Sequence, residues 1–260
     1  MVSTLAMILL ATGLSGVASA GVAGGFLLLP EARRQALLPR LVSFATGALL
    51  GAALLALLPH ALEGVGAEHT HRIGVALVAG ILAFFVLEKL VLWRHCHEDP
   101  CEGHVPHVSP RDRAGAWLIL WGDGFHNVLD GVLIAAAFMT DPHLGVVTAI
   151  AVLAHEIPQE VGDVAILLHG GMHRRQALGL NLATSLTSMI GAAGAWFAFS
   201  TVQQVLPYAL AVAAASFLYV AVADLIPGLH RRTDPRTSFE QVALILAGIA
   251  VVFVSHRLAH

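Results

Sequence analysis

The chain has 260 residues, 57% of them hydrophobic and 12% charged, with a formal net charge of −3. A soluble domain carries about 25% charged and roughly 45–50% apolar residues, so this composition excludes an ordinary globular core and points to a membrane protein. The weak net charge makes no case for nucleic acid, and the two cysteines, Cys96 and Cys101, share one polar stretch and make no disulfide framework.

Apolar stretches long enough to span a bilayer, about 17–25 residues each, fall near 4–29, 41–60, 73–93, 114–138, 144–168, 177–199, 207–227 and 239–257. In the first, Ala18-Ser19-Ala20 has the look of a signal-peptidase site. No Lys or Arg precedes Arg33, however, and the apolar run continues to Leu29, so the stretch is read as a span. Pro30, Pro39, Pro59, Pro110, Pro142, Pro207 and Pro235 fall at or near the gaps, as helix punctuation. Small residues, among them Gly13, Gly16, Gly191 and Gly194, would let helices approach closely in lipid.

The basic residues orient these spans. If the gaps alternate sides, Arg33, Arg34, Arg40, Lys89, Arg94, Arg111, Arg113, Arg174, Arg175, Arg231, Arg232 and Arg236 share one side, against Arg72 and Arg257 on the other. Positive residues stay cytoplasmic. The expected fold is therefore all-α: a polytopic bundle of eight transmembrane helices, both termini outside, forming one domain over 1–260. A cytoplasmic loop at about 94–113 holds His95, Cys96, His97, Cys101, His104 and His107, which suit either metal binding or plain hydration. On the outer side His60, Glu63, Glu68, His69 and His71 offer the same two readings.

The fourth and fifth spans carry the chemistry. The fourth reads WGDGFHNVLDG from Trp121, and the fifth HEIPQEVGD from His155. At about 100° per residue, Asp123, His126, Asn127 and Asp130 fall within roughly 100° of arc, and His155, Glu156, Gln159, Glu160 and Asp163 within roughly 140°. Each helix thus gathers its polar groups onto one stripe. A charge at the bilayer centre costs about 2.5–3.5 kcal/mol even on the lenient scale, so the five carboxylates would cost more than ~10 kcal/mol uncompensated. Neither span offers a Lys or Arg beside them. Protonation, water or a bound cation must compensate, and imidazole with carboxylate and carboxamide suits Zn²⁺ and its first-row neighbours. Pro158 removes the donor for the Ala154 carbonyl and predicts a kink, which at membrane depth is tolerated where a helix lines a cavity.

At these segments the sequence resembles the ZIP (Zrt-, Irt-like protein) family, in the branch whose fifth helix carries HEIPxE. SFATGALLGAALLALLPHALE and FLYVAVADLIPGL resemble that family's second and seventh helices. The resemblance covers essentially the whole chain. It implies carriage of zinc and related divalent ions toward the cytoplasm, with His126, Asp130, His155 and Gln159 facing one metal. Asn127, Asp130, Glu156 and Gln159 would face a second, bridged by Asp130, and Glu160 stands at the stripe's edge as a further ligand. Gln159 and Ser188 are neutral where some members carry acids, and Ala52 and Ala56 stand where relatives of this branch have Asp and His.

The cargo expected is Zn²⁺, with Fe²⁺, Mn²⁺, Co²⁺ or Cd²⁺ as alternatives that mixed N/O ligands also accept. No cofactor is expected. The partners expected are the ions, the bilayer of a cell membrane, of bacterial inner-membrane type, and a second copy in a homodimer. Two rival functions stand beside transport of metal. One is an intramembrane zinc hydrolase, suggested by His155-Glu156, although Gln159 occupies the position of a second His. The other is a proton-coupled carrier of another solute.

Overall fold

A computed structural model describes residues 2–95, 110–169, 171–199, 203–230 and 234–257. The His/Cys stretch from Cys96 to His107 lies outside the described residues. Among the described residues there is no strand, and the long helices form eight rods.

The first helix is Val2–Phe26 and the second runs as one rod over Glu31–Val65. The third is Thr70–His95, the fourth Pro110–Thr140 and the fifth Pro142–His169. The sixth, Arg174–Phe199, turns briefly at Leu186. The seventh is Leu206–Leu229 and the eighth Pro235–Arg257.

Six of the eight are long and apolar enough to cross a membrane by length and composition: the first, second, fifth, sixth, seventh and eighth. In the third only Thr70–Val86 is apolar enough, a shorter run. The fourth carries Arg111, Asp112, Arg113, Asp123 and Asp130, which lower its hydropathy without shortening it. The protein is a multi-pass membrane protein.

Proline placement corrects the sequence reading in part. Pro30 caps the second helix, and Pro110, Pro142, Pro207 and Pro235 lie at helix starts, where a missing N–H costs nothing. Pro39 and Pro59 instead lie inside the second rod, and the fifth helix runs unbroken through Pro158. Pro59 is accommodated by a π segment just before it, Ala52–Leu57, where the Leu58 N–H bonds five residues back to the Ala53 carbonyl. The seventh helix repeats the device. Its π segment Val220–Leu225 precedes Pro227, and the Ile226 N–H bonds to Ala221. A wider turn shifts the preceding carbonyls away from the proline ring that would otherwise strike them.

Two helix pairs meet at glycine contacts. The fourth and sixth helices pack so closely that a Cβ on Gly131 would overlap the Ser188 carbonyl, and one on Gly191 the Val128 carbonyl. The second and eighth meet likewise at Gly47 and Gly248. Hydrophobicity does not drive association in lipid, so this closeness is how the pairs gain van der Waals contact. Thr187 Oγ1 adds a bond across the first pair, donating to the Gly124 carbonyl at 2.7 Å. The fourth helix also packs broadly on the fifth and, more narrowly, on the seventh. Those contacts bring the polar stripes together.

Candidate metal centre

Both stripes turn inward. Asp123, Asn127 and Asp130 on the fourth helix and His155, Glu156 and Glu160 on the fifth are all buried, while the His126 side chain keeps 19% of its surface exposed. This burial follows from the spacing: groups three and four residues apart share a helical face, and the faces left over are Val, Leu, Ile and Ala.

Four of the seven expected residues converge. His126, Asp130, His155 and Glu156 each offer one ligand atom, and these atoms all lie within 4.8 Å of one another. His155 Nε2 is 3.2 Å from Asp130 Oδ2 and 3.6 Å from Glu156 Oε1. His126 Nε2 is 3.8 Å from that same Asp130 oxygen and 3.7 Å from Glu156 Oε1. Four donor atoms at these separations surround one point, as a tetrahedral first-row cation requires.

The His155 ring is held in place for this. Its Nδ1 lies 3.2 Å from the Ala151 carbonyl, which can only accept, so Nδ1 carries the proton and Nε2 keeps its lone pair toward the cluster. The ring sits edge-on between the His126 ring, 5.6 Å away, and the Phe217 ring of the seventh helix, 5.9 Å away. Phe217 gave no polar signal, and sequence reasoning passed over it.

The carboxylates are otherwise uncompensated. Both oxygens of Asp130 and both of Glu156 are buried without a hydrogen-bond partner among the described residues. Buried acceptors without donors are rare and costly. A dication at the shared point would satisfy one oxygen from each residue and both imidazole nitrogens together.

Of the other three expected residues, Glu160 is not among the groups that share this point. Asn127 donates its amide to Asp123, at 2.9 Å to Oδ1 and 3.2 Å to the backbone carbonyl. Gln159 lies half-buried one turn beyond His155. Glu160, fully buried, meets the sixth helix, accepting from Asn181 Nδ2 and Ser185 Oγ. Asn181 and Ser185 belong to a polar strip legible in the sequence as Asn181, Thr184, Ser185 and Ser188, whose partner could not be read there.

Comparison with known proteins bears on the chain as a whole. The profile of the family described as ZIP Zinc transporter matches residues 4–115 and 93–256. Zinc transporter ZIP13 of Pongo abelii is 36% identical over 230 residues, covering 83% of this chain and 66% of its own length. Zinc transporter ZIP13 of Homo sapiens is 32% identical over 261 residues, with 83% and 70% covered. Zinc transporter ZIP4 of Homo sapiens is 33% identical over 260 residues, with 77% and 40% covered. The chain thus spans about two thirds of the ZIP13 relatives and much less of ZIP4. These relatives are eukaryotic and lend no support to a bacterial placement.

Proposed function

Because the chain belongs to the ZIP zinc transporter family, it is a transporter of divalent metal ions and not an enzyme, and we propose that it carries Zn²⁺ toward the cytoplasm through the cluster between the fourth and fifth helices. The observation that carries this reading is the convergence of His126, Asp130, His155 and Glu156 onto one buried point with four carboxylate oxygens unpartnered. These four residues are the direct ligands in this reading. Asn127 and Gln159 flank them, and Glu160 contributes negative charge from the sixth-helix side.

The chemistry favours passage over storage. Two neutral imidazoles and two carboxylates balance one dication, so the ion enters and leaves without stranding net charge in the membrane. A hydrolase would keep mostly His ligands fixed and one position open for water. Family membership argues against that rival and against carriage of an unrelated solute.

The finer assignments rest on sequence. The twelve-to-two bias of Lys and Arg supports termini outside and inward delivery. The single domain over 1–260, with its His/Cys-containing cytoplasmic loop at about 94–113, the homodimer and the wider cargo of Fe²⁺, Mn²⁺, Co²⁺ and Cd²⁺ belong to the same proposal. Uptake of radioactive zinc into proteoliposomes by the purified protein tests it. Wild type accumulates zinc and Asp130→Ala does not; equal uptake by both would refute the assignment.

A further inference from the structure

A groove of about 470 Å³ runs along the outside of the fourth–sixth helix pair, within the ~300–1,000 Å³ of small-ligand sites. Its fourth-helix wall is Trp117, Trp121, Gly124, Phe125 and Val128, the stripe opposite His126 and Asp130 on the helical wheel. The groove is therefore turned away from the metal cluster. Gly124 and Ala183 leave the space, and the exposed rings of Trp117, Trp121 and Phe125 border it. The two hydroxyls in its lining are already spent. Thr184 Oγ1 donates to the Asn181 carbonyl at 2.8 Å, and Thr187 Oγ1 to the Gly124 carbonyl at 2.7 Å. No Asp or Glu lines the groove among the described residues. A strongly polar occupant would find too few partners there, and hydrocarbon fits.

Length and charge say which hydrocarbon. From Trp117 to Val128 the wall is about 16 Å long, or one leaflet of a ~30 Å hydrocarbon core. The fourth and sixth helices run parallel, with Gly124 beside Thr184 and Gly131 beside Ser188. About 15 Å back from the Gly124–Thr184 contact, both helices reach one level, where Arg113 stands on the fourth and Arg174 and Arg175 on the sixth. Arg174 and Arg175 are exposed, and Arg113 occupies the position one turn before Trp117. The first turn of the sixth helix holds no acid. Cations at the end of a leaflet-deep apolar groove match a phosphate headgroup with its acyl chain. A second copy of the chain matches less well. A twofold axis along the membrane normal would bring the same basic ends together, and like charges repel.

We propose that this groove binds one acidic phospholipid, its acyl chain against Trp117, Trp121 and Phe125 and its phosphate at Arg113, Arg174 and Arg175. The site goes beyond metal transport and requires only that the chain spans a bilayer.

The test uses the full-length protein carrying Trp93→Phe and Trp196→Phe, which keeps Trp117 and Trp121 as its indoles. It is reconstituted into dioleoyl phosphatidylcholine vesicles with a rising fraction of lipid brominated on its acyl chains. That lipid is either phosphatidylglycerol or phosphatidylcholine, and bromine quenches an indole that it touches. Brominated phosphatidylglycerol is expected to reach half-maximal quenching at a fraction about fivefold lower, the worth of one basic residue near an acidic headgroup. Arg113→Gln/Arg174→Gln/Arg175→Gln removes the difference. Those arginines also help to orient the helices, so Ala183→Phe is the second variant. It keeps every charge, fills the groove from an exposed position and is expected to abolish the preference. Equal quenching by both lipids in the parent protein overturns the site. An undiminished preference in Ala183→Phe does so too, because only general attraction to the basic end would remain. Indoles that neither lipid quenches would assign the groove to a second copy and overturn the proposal as well. Zinc uptake tests the transport reading separately, so the two fail independently.

Discussion

His126 Nε2 and His155 Nε2 lie 3.3 Å apart across the interface of the fourth and fifth helices. Because His155 spends its Nδ1 proton on the Ala151 carbonyl, its facing lone pair needs a cation or a donor to meet it. Asp130 and Glu156 close the same gap from either helix. In the proposed pathway the pair marks the point that a transported ion would occupy, and it fixes what each substitution should do.

Asp130→Ala and His155→Ala are each expected to lower zinc flux by about a hundredfold or more while the protein still reaches the membrane, because each removes one of the four proposed ligands. Uptake normalised to the amount of inserted protein checks this. Near-normal flux in both would remove the cluster from the pathway.

Phe217→Ala should act more gently. It leaves every ligand atom in place and frees the His155 ring on one side, so the half-saturating zinc concentration is expected to rise roughly tenfold, as for the loss of a group that orients a ligand. Kinetics in proteoliposomes would show the change in half-saturation, with the maximal rate much less affected.

Two glycine substitutions should move stability in opposite directions. Gly131→Ala drives a methyl into the Ser188 carbonyl on a neighbouring backbone and should cost about 1–3 kcal/mol. Gly162→Ala, whose new Cβ meets nothing within 4 Å, should gain about 0.5–1 kcal/mol through the helix backbone. Thermal unfolding of both in the same detergent is the comparison.

Glu160→Leu strands the Asn181 amide and the Ser185 hydroxyl at the fifth–sixth helix contact. Leaving buried donors unmet costs about 1–3 kcal/mol. A lowered unfolding temperature is expected, and Glu160→Gln should recover part of it by keeping one acceptor.

Much of this was legible from spacing. The stripes on the fourth and fifth helices follow from a 100° step, and His126, Asp130, His155 and Glu156 meet because both stripes point at one seam. Which neighbour takes the edge of a stripe is not written in its own helix. Glu160 sits on the correct arc for a ligand, yet the sixth helix supplies Asn181 and Ser185 at that edge. Phe217 was invisible because an aromatic in an apolar span looks the same whether it faces lipid or a histidine. Pro59 misled for a different reason. A proline near the end of an apolar run reads as a stop, and only the π segment at Ala52–Leu57 lets the helix continue to Val65.

That π segment and its counterpart at Val220–Leu225 change how positions along these two rods should be compared. Each widened turn holds about one residue more than an α turn, so everything beyond it is rotated by about 100° from where a uniform wheel would put it. His60 and Glu63 in the second rod, and Gly228 in the seventh, therefore face directions that a projection started from Glu31 or Leu206 assigns wrongly. Removing one residue from either segment would swing the stretch beyond it onto a new face. Scanning mutagenesis of these helices has to be phased separately on the two sides of each wide turn.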